Sequence, residues 1–308
     1  MGNARKIHFT GIDNPVVCDL AIAMRQAGAE VTGSGMVPAE AKSRLHAAGI
    51  PNAAEWDAGR IVPTLESVVI SPAVKRDNPE LHRALEQKIP VYSYPEFIQL
   101  ECRNKHRVVI TGSHGKTMIT MVILHVLNYH NRSFDFVLSK PVTGRPSSIQ
   151  LSDAPLIIIE GQDGLASALD PTTIFLKYKH HIGLISGIEW HASPDYQTKE
   201  DYARQFSLFE ASTPKGGVLI YFDLEPVVHA LKKDSQPDVL YVPYKTHPSV
   251  VEGGTEYLVE TSSERHPVKL SGKLNMQNFA AAKEALKRLG ITTPMFYEAV
   301  RQFTGDNF

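Results

Sequence analysis

Cysteine is nearly absent: the 308 residues hold two, Cys18 and Cys102, far apart in sequence. That argues against a disulfide framework, and no CxxC or His/Cys spacing suits a structural metal. Long apolar runs are missing too. No stretch reaches the roughly 18 residues that a membrane-crossing helix needs. The apolar run after Met1-Gly2-Asn3-Ala4-Arg5-Lys6 is too short for a signal-peptide core. Nor is one sign of charge in excess, because 32 Lys and Arg face 33 Asp and Glu. This balance removes the bulk electrostatic case for nucleic acid or an anionic membrane, yet allows a local phosphate pocket. No internal repeat or low-complexity segment stands out. The expectation is a soluble, cytoplasmic protein with reduced thiols. Its oligomeric state is not readable.

What is present is ordinary globular material. Apolar residues make up 43% and charged residues 21%, which argues against disorder. The length suits about two domains of roughly 100–200 residues each. Lys6 to Gly11 reads as a strand meeting a turn. Asn14 can cap a helix with Pro15 at its first position, and Val16 to Ala27 has helical spacing that Gly28 stops. A second strand at Val31 to Gly33 and a helix over Ala39 to Ala48 follow. A third strand lies at Ser67 to Ile70, a helix runs from Asn78 to about Gln87, and a fourth strand spans Ile89 to Tyr92. Such alternation predicts a parallel sheet covered by helices.

A second start comes near Arg107, after the polar stretch Glu101 to His106, where the domain boundary is expected. Val108 to Thr111 is β-branched, and Met118 to His130 reads as a long helix. Leu156 to Ile159, Ile182 to Ile185 and Val218 to Phe222 are continuous apolar runs typical of strands buried on both faces. Asn275 to Leu289 is an amphipathic, Ala-rich helix ended by Gly290.

The chemistry concentrates between the first strand and helix of this second half. There the chain reads Thr111-Gly112-Ser113-His114-Gly115-Lys116-Thr117. Glycines let backbone N–H groups curl around an anion, and the helix start adds its positive dipole end. Lys116 would reach the β- and γ-phosphates of a nucleotide, and the Thr117 hydroxyl would hold Mg²⁺. The full pattern asks for glycine where Ile110 stands, so the match is to the tail of the motif. A surface loop can also read Gly-Lys-Thr, but the strand before and the helix after weigh against that. Glu160 closes the apolar run Leu156 to Ile159, at the strand end where ligands of open α/β sheets collect. A carboxylate there suits Mg²⁺, although spacing alone fits a solvated loop carboxylate as well. Ser186 to His191 ends the next run, from which Glu189 and His191 could reach the same place. A lone histidine is more often a structural hydrogen-bonding residue than a ligand.

Taken together, these residues resemble the Mur ligases. Gly112 to Thr117 is similar to that family's ATP loop, and Ile158 to Asp163 stands where it has an acidic metal-binding motif. Gly272-Lys273-Leu274-Asn275-Met276-Gln277-Asn278 resembles a segment that contacts the nucleotide, and Ser71 to Glu80 resembles part of the first domain. The resemblance implies an α/β fold in two domains. Residues 1–104 would form a Rossmann-like, UDP-sugar-binding parallel sheet. Residues 105–302 would form the P-loop ATPase domain, and 303–308 a stub toward a third domain beyond the chain. It also implies ATP and Mg²⁺ as cofactors. Gly112, Ser113, His114, Gly115, Lys116, Thr117, Asn275 and Asn278 would bind the nucleotide. Thr117, Glu160 and His191 would bind metal, and Lys116 and Glu160 would be catalytic.

The implied reaction is an ATP-dependent ligation to the carboxylate of UDP-N-acetylmuramate, in peptidoglycan synthesis or recycling. Its amine partner is either L-alanine or the tripeptide L-alanyl-γ-D-glutamyl-meso-diaminopimelate. Tyr92 to Glu96 and Ser186 to Trp190 lean toward the tripeptide-using branch. Several positions depart from the pattern. The glycine-rich first turn reads Gly11-Ile12-Asp13-Asn14-Pro15, and Gly35 stands where an acid is expected. Gln162 replaces a carboxylate, His191-Ala192 aligns with the Asp-His pair, and Leu274 replaces a histidine. These changes motivate the alternative of a catalytically impaired, Mur-like nucleotide-binding module. A generic P-loop ATPase or kinase, supported by the motif tail alone, ranks last.

Overall fold

The computed structural model describes residues 4–143, 145, 147–223 and 236–305. Met1 to Asn3 and the last part of the expected stub, 306–308, lie outside the described residues.

The first sheet is parallel throughout, in the order β3-β2-β1-β4-β5. Its strands are β1 (Lys6–Thr10), β2 (Glu30–Ser34), β3 (Asn52–Ala53), β4 (Ser67–Ile70) and β5 (Val91–Ser93). Helices α1 (Pro15–Gln26), α2 (Ala39–Ala47) and α3 (Pro79–Glu86) connect them. The caps fall where the sequence puts them. Asn14 accepts hydrogen bonds from the Val16 and Val17 N–H groups, and Asn78 does the same for Glu80 and Leu81. The fourth strand begins later than expected. Pro90 has no N–H to give a ladder, so it supplies only its carbonyl, to Val68.

Helix α4 (Tyr94–Glu101) is an addition to the expected elements. Its signal is nonetheless in the sequence: Ser93-Tyr94-Pro95-Glu96 is a capping box, and Glu96 accepts from both the N–H and the hydroxyl of Ser93.

The second sheet has the order β12-β11-β10-β6-β9-β7-β8. It comprises β6 (His106–Thr111), β7 (Asp135–Val137), β8 (Ile149–Gln150), β9 (Leu156–Glu160), β10 (Ile182–Ile185), β11 (Val218–Phe222) and β12 (Leu240–Tyr244). Among the described residues, the edge pair β7–β8 is antiparallel and the other strand pairs of this sheet are parallel. The helices are α5 (Lys116–Tyr129), α6 (Ile174–Lys177), α7 (Lys199–Ala211), α8 (Lys273–Arg288) and α9 (Thr293–Val300). Buried residues run unbroken from Ile119 to Leu127 of α5. A helix apolar on every side must be enclosed, and α5 is covered by α8 and α9.

A small antiparallel sheet, β13 (Ser249–Glu252), β14 (Thr255–Val259) and β15 (Arg265–Val268), is likewise outside the expected elements, as are β3, β7, β8, β12, α6, α7 and α9. Gly253 and Gly254 join its first two strands, both at positive φ (56° and 82°), as a two-residue hairpin turn requires.

The two large sheets share packing. One apolar cluster runs from Ile7, Phe9 and Phe97 through Val109 and Ile159 to Phe206 and Tyr221. Buried Asp19 on α1 accepts from the N–H and hydroxyl of Ser148, both at 2.6 Å, and pairs with Arg44. Lys177 reaches Glu96 at 3.1 Å. Among the described residues, no helix is long and apolar enough to cross a membrane.

Candidate functional site

In the second sheet, β6 is flanked by β9 on one side and β10 on the other. From β6 the chain runs to the β7 and β9 side, and from β9 it crosses back to β10 on the other side, so the order reverses beside β6, and such a switch point opens a crevice. The loop there is tightly built. Gly112 has φ 126°, and a Cβ on it would come within 2.4 Å of Ser186 Oγ and 2.8 Å of the Gly187 carbonyl. Gly115 has φ 77°, and a Cβ there would come within 2.3 Å of Asn278 Oδ1. Neither place accepts a side chain. The Ser113 N–H donates to the Gly187 carbonyl at 2.9 Å, and its hydroxyl donates to the Glu189 carbonyl at 2.9 Å. The N–H groups of Lys116 and Thr117 open the first turn of α5, where a helix has no internal partners for them.

Lys116 folds back onto this loop. Its ammonium donates to the Gly112 carbonyl and lies 3.7 Å from Asp163 Oδ1, while Asp163 accepts from the Tyr202 hydroxyl at 2.8 Å. Burial pushes the Tyr202 phenol well up, so it stays a donor. The Thr117 hydroxyl donates to Glu160 Oε1 at 2.6 Å, and Glu160 Oε2 accepts the Ser139 N–H at 3.0 Å. Glu160 is the last residue of β9 and 2% exposed. It is therefore an enclosed carboxylate aimed at the loop threonine, not a solvated loop acid.

A cavity of about 680 Å³ opens beside Lys116 and Thr117. Ser113, Gly115, Lys116, Thr117, Asn275 and Asn278 line it. The fold thus gathers residues distant in sequence, from the loop and from the start of α8. Gly112 lies behind Lys116 as its carbonyl partner. The remaining lining residues, Lys140 and Leu274 among them, are not expected site residues; the segment Ser139-Lys140-Pro141 carries no motif that could flag the lysine. Gly115, Lys116 and the start of α5 suit a polyphosphate. The paired oxygens of Thr117 and Glu160 are the hard ligands that Mg²⁺ takes.

His191 stands apart from that pair. It is 74% exposed, and its Nε2 lies 3.9 Å from Glu189 Oε1. The His114 imidazole contacts the other oxygen of Glu189, and this hydrogen bond holds the Glu189 carboxyl below its usual range. Thr117 and Glu160 are together, whereas His191 sits with Glu189 and His114.

The first βα turn has the opposite character. Gly11 and Ile12 donate to the Ser34 carbonyl, and Asn14 donates to Gly11. Val16 and Val17 donate to the Asn14 side chain, and Cys18 donates to the Asn14 carbonyl. Pro15 has no N–H. The start of α1, which could otherwise cradle an anion, is capped from within the chain. Asp13 adds a carboxylate, whose Oδ1 lies 2.6 Å from where a Cβ on Gly35 would be. It faces a cavity of about 610 Å³ that Arg44 and Arg145 also line.

Comparison with known proteins agrees with this architecture. Residues 6–106 match the family described as Mur ligase family, catalytic domain. The UDP-N-acetylmuramate–L-alanine ligase of Anaeromyxobacter dehalogenans (strain 2CP-C) is 27% identical over 310 residues, covering 97% of this chain and 66% of that protein. The chain thus spans about two thirds of the length of such curated relatives. In three dimensions it resembles the UDP-N-acetylmuramate:L-alanyl-gamma-D-glutamyl-meso-diaminopimelate ligase from Neisseria meningitides. That match has TM-score 0.88 at 19% identity and covers 98% of this chain and 99% of that one. A murein peptide ligase from Psychrobacter arcticus 273-4 follows with TM-score 0.83 at 18% identity, covering 98% and 69%. The chain thus carries a Mur ligase family match over residues 6–106, is similar to these ligases along nearly its whole length, and shares their parallel-sheet α/β fold.

Proposed function

We propose that this chain carries the nucleotide-activating part of an ATP-dependent ligase that joins an amine to the carboxylate of UDP-N-acetylmuramate. The amine is L-alanine or L-alanyl-γ-D-glutamyl-meso-diaminopimelate, the substrates named in its relatives, and the pathway is peptidoglycan synthesis or recycling. Residues 1–104 would face the sugar nucleotide, and residues 105–302 would bind ATP. The observation that carries this reading is the Gly115–Lys116–Thr117 loop set against the enclosed Glu160 carboxylate, with Asn275 and Asn278 across the same cavity.

A carboxylate is a poor acyl donor, so it must be activated. Its oxygen attacks the γ-phosphorus of ATP, the bond to the β-phosphate oxygen breaks, and ADP leaves. The amine nitrogen then attacks the carbonyl carbon of the acyl phosphate, the C–O bond breaks, inorganic phosphate departs and the nitrogen gives up a proton. Charge builds on the transferring phosphoryl group, so positioning and electrostatics dominate. Lys116 supplies the positive charge once it leaves the Gly112 carbonyl for the phosphates. Gly112 and Gly115 keep side chains out of the cradle. Thr117 and Glu160 would hold Mg²⁺, which supplies further positive charge to the phosphate oxygens. The test is a calorimetric titration of Mg·ATP into the chain, with Lys116→Ala as control. Binding that vanishes in the variant is expected; equal binding in both would put the nucleotide elsewhere.

A specific observation favours a second reading, a Mur-like module impaired in catalysis. The N–H groups of Gly11, Ile12, Asn14, Val16 and Val17 are already partnered, and Asp13 puts a negative charge at the turn. A diphosphate would meet a capped helix and a carboxylate there. Chain-catalysed amide formation from UDP-N-acetylmuramate, ATP and either amine would exclude this reading.

A further inference from the structure

We infer that His114, Glu189 and His191 form a divalent transition-metal site on the rim of the phosphate loop, distinct from the Thr117–Glu160 pair. Each residue offers one ligand atom, and these atoms all lie within 4.8 Å of one another. Glu189 sits between the two imidazoles, with one oxygen toward His114 and the other 3.9 Å from His191 Nε2. The two rings are 6.5 Å apart and inclined at 66°, so they converge on the carboxylate rather than stack. A tetrahedral zinc ion with bonds of about 2.0 Å spaces its ligands by roughly 3.3 Å. Small rotations of these exposed side chains reach that spacing.

The backbone beneath is braced. Ser113 Oγ accepts the Glu189 N–H at 2.6 Å and donates to the Glu189 carbonyl at 2.9 Å. Side chains can adjust while their anchor points hold, as metal sites require of their support. Two imidazoles and one carboxylate select zinc, nickel or cobalt over magnesium or calcium, which prefer oxygen alone. Solvent can complete the coordination. A bound ion would tie loop residue His114 to the segment after β10.

The site needs neither Mg²⁺ nor ATP, so it stands apart from the proposed ligase reaction. The test titrates Zn²⁺ into the intact chain by calorimetry, in excess Mg²⁺, alongside His114→Ala, Glu189→Gln, His191→Ala and Lys116→Ala. One equivalent is expected in the parent and in Lys116→Ala, with affinity falling about tenfold or more in each of the other three. Cobalt(II) should give the intense visible bands of a four-coordinate ion, lost in His191→Ala. Glu264→Gln serves as a further control, because Glu260, Glu264 and His266 are the other cluster of metal-capable groups among the described residues. No zinc uptake by the parent, unchanged affinity in the three ligand variants, or loss in Glu264→Gln instead would overturn the proposal.

Discussion

At the scale of single residues, the loop is intolerant of added atoms. Gly115 combines positive φ with an Asn278 oxygen 2.3 Å from the would-be Cβ. Gly115→Val should keep the fold, judged by circular dichroism, and lose Mg·ATP binding by at least about tenfold, because the side chain either fills the cradle or pushes Asn278 away. Native affinity in that variant would mean the nucleotide does not use this loop. Thr117 is tied to an enclosed carboxylate. Thr117→Val leaves Glu160 Oε1 without its 2.6 Å donor. An unmade bond to a buried polar group costs about 1–3 kcal/mol, so the unfolding free energy from urea titration should fall by that amount, with a lower midpoint. An unchanged midpoint would show that solvent replaces the hydroxyl.

At the scale of elements, the two βα turns do opposite work. The first is closed by a side chain that the helix needs, since Asn14 caps α1. Asn14→Ala should therefore cost about 1 kcal/mol of stability, read as a shift in the unfolding midpoint without change of slope. Combining Asp13→Gly with Asn14→Gly removes the carboxylate and releases the Val16 and Val17 N–H groups. UDP-sugar affinity should rise in that double variant, measured by calorimetry; no gain would mean that the charge and capping of this turn do not set the affinity. The contrast between the turns is legible in the residues themselves, because Asn-Pro announces a cap and Gly-Lys-Thr an open cradle. Of the elements missing from the sequence expectations, some carry signals just as plain: the capping box that opens α4, and the paired glycines that join β13 to β14. Each is a local signal whose cause is local backbone geometry.

At the scale of the whole molecule, buried titratable groups set the acid limit of stability. Burial, then the neighbouring His181 and Arg107, push His180 down to about 3 from its ordinary 6.5. The unfolded chain takes up that proton below about pH 6.5, while the folded protein resists until about pH 3. The stability held by a neutral His180 is therefore complete above pH 6.5 and lost as pH falls through that window. Burial lowers His106, His181 and His247 in the same direction. Burial alone would raise Glu80, but hydrogen bonds from His8, Ser34 and the Asp57 N–H outweigh it and hold its carboxyl below 4.5. Its contribution is present above pH 4.5 and disappears below. Urea unfolding across pH should show the midpoint falling from about pH 6.5 downward, with a shallower slope between 6.5 and 4.5 in His180→Gln. An identical slope in the variant would assign the loss to other groups.

Sequence by itself determined the strand–helix alternation, the approximate extents of α1, α2, α3, α5 and α8, and the glycine-bearing loop between β6 and α5. Those features depend on apolar periodicity, on caps and on glycines, all of which act within a few neighbouring residues. Tertiary structure alone decided which distant residues meet at the loop. Asn278 packs on Gly115 because α8 is laid against α5, and Glu160 reaches Thr117 because β9 lies beside β6. It also decided that His191 joins Glu189 and His114 instead of the Thr117–Glu160 pair. Strand order and helix packing are set by burial of apolar surface over the entire chain, and no local pattern encodes the positions that such packing brings together.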